Sequence, residues 1–196
     1  MTRAAWRPLG VHSGATGADW KGGWERPGLA IPGRVQSNRA MTDSPAPLVT
    51  PQIVSLDVAL GDDSAGIVRA LATLLHDAGR VDDVQVFVDA VLAREALGPT
   101  VLPGGVALPH ARSAAVTTPS VAVARLPEPA TFRDDTDPVR LVLLIAGLGD
   151  DPAGYLQVLA KIATACVKYS FVDELLRVRT AEEMAELVGQ AIGRRG

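Results

Sequence analysis

The stretch Gly104-Gly105-Val106-Ala107-Leu108-Pro109-His110-Ala111-Arg112-Ser113 organises the reading of this chain. Paired glycines suit a tight entry turn. Residues 106–108 have the β-branched and aliphatic character of a short strand, and Pro109 biases Leu108 further away from helix. Pro109 also lacks a backbone donor, so the sheet ladder is expected to end here or to lie at an edge. His110 then stands at the end of a strand on a stiffened backbone, a position well suited to function.

Helices are expected on the N-terminal side of this stretch. An extended run at 53–56 comes first. Asp62, Asp63 and Ser64 then offer N-caps for a helix bearing Ile67, Val68, Leu71, Leu74 and Leu75, closed by Gly79. A second helix starts at Asp82 and Asp83, repeats Val84, Phe87, Val88, Val91 and Leu92, and stops at Gly98-Pro99. On the C-terminal side, strands are expected at 120–126 and 139–146, joined as a hairpin through a turn around Asp134 to Pro138. Helices follow over 152–168, near 171–178 and after Thr180, the last with a capping box of Thr180 and Glu183. Strand, two helices, three strands, three helices is an order that favours an α/β chain with a mixed sheet over strict βαβ alternation.

Composition narrows the function. Nearly half of the 196 residues are apolar and a fifth are charged, as in a globular protein with a real core. No run approaches the 18 apolar residues of a membrane span, no secretory signal is visible, and Cys166 is the only cysteine, so no internal disulfide can form. A cytoplasmic location without membrane insertion is expected. Residues 1–40 carry six Lys/Arg and two Asp/Glu, a balance of +4, which leaves 13 and 20, or −7, for residues 41–196. An acidic domain of this kind argues against nucleic acid as a partner and for a basic protein, with docking that weakens at high salt. Trp6, Trp20 and Trp24 all fall in the first 40 residues, where no apolar period repeats. Residues 1–47 are therefore expected to be a disordered extension, or a stretch translated ahead of a start at Met41, with a basic docking arm as the alternative. The domain proper is expected to span 48–196, with no further domain fused after it.

Histidine is the residue of choice for carrying a phosphoryl group: at neutral pH one ring nitrogen is nucleophilic while the other is oriented by a hydrogen bond. Arg94 is the candidate for a bidentate contact with that group. Taken alone, His110 reads more readily as a loop histidine of no chemical role than as a catalytic one. His12 lies in the tail, His76 suits a helix end, and Cys166 reads as a small core residue. These residues offer no metal site at recognisable spacing, and no cofactor is expected.

The run Asp89-Ala-Val-Leu-Ala-Arg94-Glu95-Ala-Leu-Gly-Pro-Thr100, followed by Gly105-Val-Ala-Leu-Pro-His110-Ala-Arg-Ser, resembles the enzyme IIA domain of the fructose/mannitol type. That domain is a component (EIIA type 2) of the bacterial phosphoenolpyruvate-dependent sugar phosphotransferase system. The likeness covers essentially residues 50–192. It implies a three-layer α/β/α fold with a small mixed sheet. It also implies that His110 accepts phosphate from the phosphorylated histidine-containing phosphocarrier protein (HPr) and passes it to an enzyme IIB (EIIB) domain for sugar uptake, with fructose the expected sugar. Arg94 and Thr100 match family positions beside the phosphorylated histidine. One departure stands out: the family's second histidine, directly before a leucine, is replaced by Tyr155, and the nearby Ala-Pro by Gly147-Leu148. The Tyr155 hydroxyl can donate to a phosphoryl oxygen but offers no imidazolium. The substitution is either neutral in a tolerant pocket or slows the relay. The alternative function is a non-relaying regulatory module that senses phosphorylation state or binds other proteins.

Overall fold

Strict alternation along the two longest strands builds the molecule. In β5 (Ser120–Ala130) and β6 (Val139–Leu148), residues Ala122, Ala124, Val142, Leu144 and Ala146 face one core, whereas Val121, Val123, Leu141, Leu143 and Ile145 face another. A period of two with both phases apolar marks strands covered on both sides. The computed structural model describes residues 46–61, 63–132 and 137–193, which fall within the compact unit Asp43–Gly196. The extension at 1–45, the cap offered by Asp62 and the turn residues 133–136 lie outside the described residues.

Among the described residues the order is β1 (Val54–Leu56), α1 (Ser64–Asp77), α2 (Val84–Glu95), β2 (Val101–Leu102), β3 (Val106–Ala107), β4 (His110–Ser113), β5, β6, α3 (Pro152–Cys166), α4 (Tyr169–Arg177) and α5 (Ala181–Gly193). A short 3-10 turn, Pro51–Ile53, leads into β1. The sheet runs β1-β5-β6-β3-β2, and β4 also pairs with β6. β5 and β6 are antiparallel, β1 is parallel to β5, and β3 and β4 are parallel to β6, so the sheet is mixed. Helices α1 and α2 cover one face through Leu71, Leu75, Phe87 and Val91. Helices α3, α4 and α5 cover the other through Ile162, Leu175, Met184 and Val188. This is the three-layer α/β/α arrangement expected.

Helix starts follow local chemistry. The carboxylates of Asp63, Asp83 and Asp151 accept from the backbone N–H groups of Gly66, Val86 and Gly154 and cap α1, α2 and α3. At α5 the hydroxyl of Thr180 accepts from the Glu183 N–H, while the Glu183 carboxylate reaches back one residue further than in a standard capping box, to the Arg179 N–H. Gly79, just past α1, adopts φ +68°, as a C-terminal stop requires.

Three points refine the sequence reading. Of the two outcomes expected at Pro109 the edge position holds and the ladder does not end: β3 and β4 keep one register against β6, Ala107 opposite Val142 and His110 opposite Ile145, and the Pro109 carbonyl accepts from the Ile145 N–H. His110 therefore opens a strand instead of closing one. A proline is tolerated because the sheet has its edge here, where only β2 continues beyond β3. Residues Val101–Leu102 form an additional strand too short to show a period. Finally, β5 runs past residue 126 to Ala130, with its register against β6 shifted between Arg125 and Ala130, where Pro127 and Pro129 supply no donors.

At the far end of the sheet Arg125 ties three elements together. Its side chain, 12% exposed, donates from Nε to Asp57 Oδ1 (2.9 Å) and from Nη1 to the carbonyls of Leu176 (3.0 Å) and Val178 (2.6 Å). The hydrogen bond and charge of Arg125 hold the Asp57 carboxyl below its ordinary value of 3.8. An acid whose folded pKa is depressed stabilises the fold above its unfolded pKa, and that contribution vanishes as pH falls through the folded value. Arg125→Met is expected to cost about 2 kcal/mol in urea unfolding at neutral pH. The deficit relative to the parent chain should shrink in titrations carried below pH 3.8.

Candidate functional site

The site is built where the N-terminal part of β4, the end of α2 and the first turns of α3 meet. Pro109 fixes the backbone between Leu108 and His110, and the Leu108 N–H is bonded to the Thr100 carbonyl (2.9 Å). The Leu108 carbonyl lies 2.6 Å from His110 Nδ1. A carbonyl oxygen only accepts, so Nδ1 carries the proton and the neutral ring keeps its lone pair on Nε2. His110 is buried, with 7% of its surface exposed. Burial holds its pKa below the ordinary 6.5, against the upward pull of the Leu108 hydrogen bond; Arg94 pushes it down further and Glu95 pushes it up.

Arg94 sits in the last turn of α2, where its Nη1 donates to the Gly98 carbonyl (3.3 Å). Its charge acts on both His110 and Tyr155, yet among the described residues no hydrogen bond joins Arg94 to His110. Thr100 is buried, and its hydroxyl donates to the Glu95 carboxylate. That donor is committed to Glu95, so Thr100 bears on the histidine through two neighbours: it holds Glu95 by its side chain and Leu108 by its backbone. Tyr155, in the first turns of α3, faces the histidine with ring centroids 6.2 Å apart and planes at 46°. Burial raises the Tyr155 pKa above 10.0 against the opposing charges of Arg94 and Arg112, so its hydroxyl stays protonated and able to donate.

Two participants were assigned no role from the sequence. Arg112 lies two residues along β4 from His110, hence on the same face, and its Nη1 donates to the Gly149 carbonyl (3.1 Å). A period-two reading of 110–113 as strand would have found it. Glu95 is visible only as half of an Arg-Glu pair until Thr100 is seen to fold back on it. Cys166 is buried in the α3–α5 core, where desolvation pushes its thiol up to about 12, consistent with a small core residue. Among the described residues no cluster of three His, Cys, Asp or Glu side chains is placed to hold a metal ion. None of the described helices is long and apolar enough to cross a membrane.

Residues 48–191 match the model of the phosphoenolpyruvate-dependent sugar phosphotransferase system EIIA 2 family. The chain belongs to this family. The fructose-specific EIIA component of Haloferax volcanii is 31% identical over 131 residues, 65% of this chain and 83% of that protein. The fructose-specific EIIABC component of Bacillus subtilis is 25% identical over 144 residues; the match takes in 73% of this chain but spans only 22% of the Bacillus protein. Among solved structures, the nitrogen regulatory protein IIA-Ntr of Neisseria meningitidis superposes with a TM-score of 0.65 at 28% identity, covering 72% of this chain and 96% of that one. IIA mannitol of Escherichia coli gives a TM-score of 0.59 at 26% identity, covering 71% and 98%. The α/β architecture of this EIIA domain is thus that of its structural relatives.

Burial and the Arg94 charge both disfavour the imidazolium, so NMR titration of the His110 ring in this EIIA domain should give a midpoint below 6.5. Arg94→Gln should move the midpoint up and Glu95→Gln should move it down. An Arg94→Gln midpoint that stays put or falls would contradict the placement of that charge. Because the unfolded ring binds its proton at higher pH than the folded one, stability should rise with pH up to about the unfolded value.

Proposed function

We propose that this EIIA domain is a phosphoryl relay that accepts the group on His110 Nε2 from phosphorylated HPr and passes it to an EIIB domain during sugar uptake. One observation carries the reading: the Leu108 carbonyl accepts a hydrogen bond from Nδ1–H, which keeps the proton on Nδ1 and leaves Nε2 as the nucleophilic atom of a neutral ring. In the first step the Nε2 lone pair attacks phosphorus as the phosphorus–nitrogen bond of the donor breaks. In the second, a nucleophile of EIIB attacks and the His110–phosphorus bond breaks, restoring the free ring. Little covalent work is asked of the protein beyond holding the reacting atoms in line and stabilising three phosphoryl oxygens. Arg94 and Arg112 supply positive charge for those oxygens, and the protonated Tyr155 hydroxyl supplies a donor. Thr100 contributes by holding Glu95 and Leu108 in place.

The fructose-specific names of the Haloferax and Bacillus relatives support fructose, while the mannitol-specific EIIA of Geobacillus stearothermophilus, 27% identical over 126 residues, keeps mannitol as a second candidate. The Bacillus relative joins A, B and C components in its name, which supports EIIB as the acceptor. A cytoplasmic site of action and a domain spanning 48–196, with 1–47 as an extension, belong to the same reading. A regulatory role is the second reading, favoured by a nitrogen regulatory protein of Pseudomonas aeruginosa, 31% identical over 107 residues, and by the Neisseria structure.

Incubation with phosphoenolpyruvate, enzyme I and HPr is expected to place an acid-labile phosphate on His110. His110→Ala should abolish the label, and Arg94→Met should slow its uptake by on the order of ten- to a hundredfold, the loss of one charge-assisted hydrogen bond. Label that persists in His110→Ala would refute the assignment. Efficient onward transfer to an EIIB domain decides for the relay, and stable label without onward transfer decides for regulation.

A further inference from the structure

This inference rests on the phosphoryl-acceptor reading of His110 and adds a residue to that site. We propose that Gly147 is a positioning residue, and that the absence of a side chain there is what seats the Tyr155 ring against His110. Gly147 lies on β6 opposite Arg112 of β4. A Cβ at this position would stand 2.4 Å from Tyr155 Cδ2, 3.0 Å from Cγ and 3.1 Å from Cβ. Turning the ring about its own axis moves Cδ2 but leaves Cγ and Cβ where they are, so the two contacts at 3.0 and 3.1 Å persist. The side chain has to shift from its base, and the ring with it.

The backbone gives no competing reason for glycine. Gly104 and Gly105, in the turn before β3, have φ of +92° and +74° and need glycine for that conformation. Gly147 is absent from the left-handed region and sits in a regular parallel ladder. An interior strand position of this kind ordinarily favours a larger residue, because glycine has no side chain to pack and loses more chain entropy. The space is used instead by an aromatic ring from the facing helix.

The direction in which a displaced ring would go is also readable. Beside the ring lies a mostly apolar cavity of about 170 Å³, lined by Leu48, Ile145, Gly147, Tyr155 and Val158 among others. With the Gly147 site filled, this cavity takes the ring and the hydroxyl swings away from His110. The hydroxyl stands at the end of a long lever, so a shift of an ångström at the ring base moves it out of reach of a phosphoryl oxygen. Groups acting on a transition state must be held to about half an ångström, and a 1 Å misplacement can cost on the order of a hundredfold.

The test is a double-substitution cycle on the full chain, read as the rate at which phosphorylated HPr labels His110. Gly147→Ala and Tyr155→Phe are each expected to slow labelling by about tenfold, and the double variant to be no slower than Tyr155→Phe, since no hydroxyl remains to misplace. Unchanged labelling in Gly147→Ala, or two losses that multiply, would overturn the proposal. Thermal unfolding guards against a variant that is simply less stable. Tyr155→Ala removes a ring packed on the core and lowers the midpoint by itself, so it is the reference. Adding Gly147→Ala to Tyr155→Ala should lower the midpoint no further, where no ring is left to clash; a further loss as large as that of Gly147→Ala alone assigns Gly147 to the backbone and refutes the seat. The His110 ring proton shifts provide a readout that does not depend on phosphorylation. They should move in Gly147→Ala towards those of Tyr155→Ala, so the placement is decided even if His110 proves not to be a phosphoryl acceptor.

Discussion

Strand β6 is hydrogen-bonded on both flanks, antiparallel to β5 and parallel to the pair β3 and β4. His110 hangs from the parallel side. Residues 106–107 and 110–113 keep a single register with β6 across the interruption at Leu108 and Pro109, so the histidine is indexed to the core by the same ladder that sets Ala107 and Ala111. The side chains of β6 fill both cores, and slipping that register by one residue would turn Leu143 and Leu144 to the wrong faces. The apolar pattern of one strand thereby fixes the position of a polar ring at the sheet edge. The Leu108 carbonyl, set by the stiff Leu108-Pro109 step, then selects the tautomer.

Two scales of electrostatics meet at His110. The domain carries more acidic than basic residues, which favours encounter with a basic partner over distances comparable to a Debye length of about 8 Å. Closer in, Arg94 acts on both His110 and Tyr155 and Arg112 acts on Tyr155, a local positive charge of the sign the proposed phosphoryl group needs. Net charge is a sum over the surface, and it says little about the few ångströms around a reacting atom.

Much of the fold was legible because the long elements declare themselves: aspartates at the starts of α1 and α2, apolar spacing along the helices, and unbroken apolar runs in β5 and β6. The short strands were not. β2 has two residues, and β4 begins directly after a proline, where the missing donor argues locally against a ladder. Only the pairing with β6, more than thirty residues away, restores it. The site was legible in part. His110, Arg94 and Tyr155 carry chemical signals in their side chains, but the commitment of the Thr100 hydroxyl to Glu95 depends on how the chain folds back after α2. Gly147 carries no side chain at all, and its meaning lies wholly in what a neighbour does with the vacated volume.

On the proposed relay, the continuity of β3 and β4 along β6 bears on how partners are exchanged. A phosphoryl carrier has to be engaged twice in each cycle, first by a donor and then by an acceptor. A histidine on a mobile loop would have to be ordered afresh at each encounter, and that conformational entropy would weaken both complexes. Here the ring is already ordered by a buried ladder, so the entropy cost falls once, at folding, and in the proposed cycle would recur with neither donor nor acceptor. Pre-organisation of this kind lets both complexes remain brief without being imprecise.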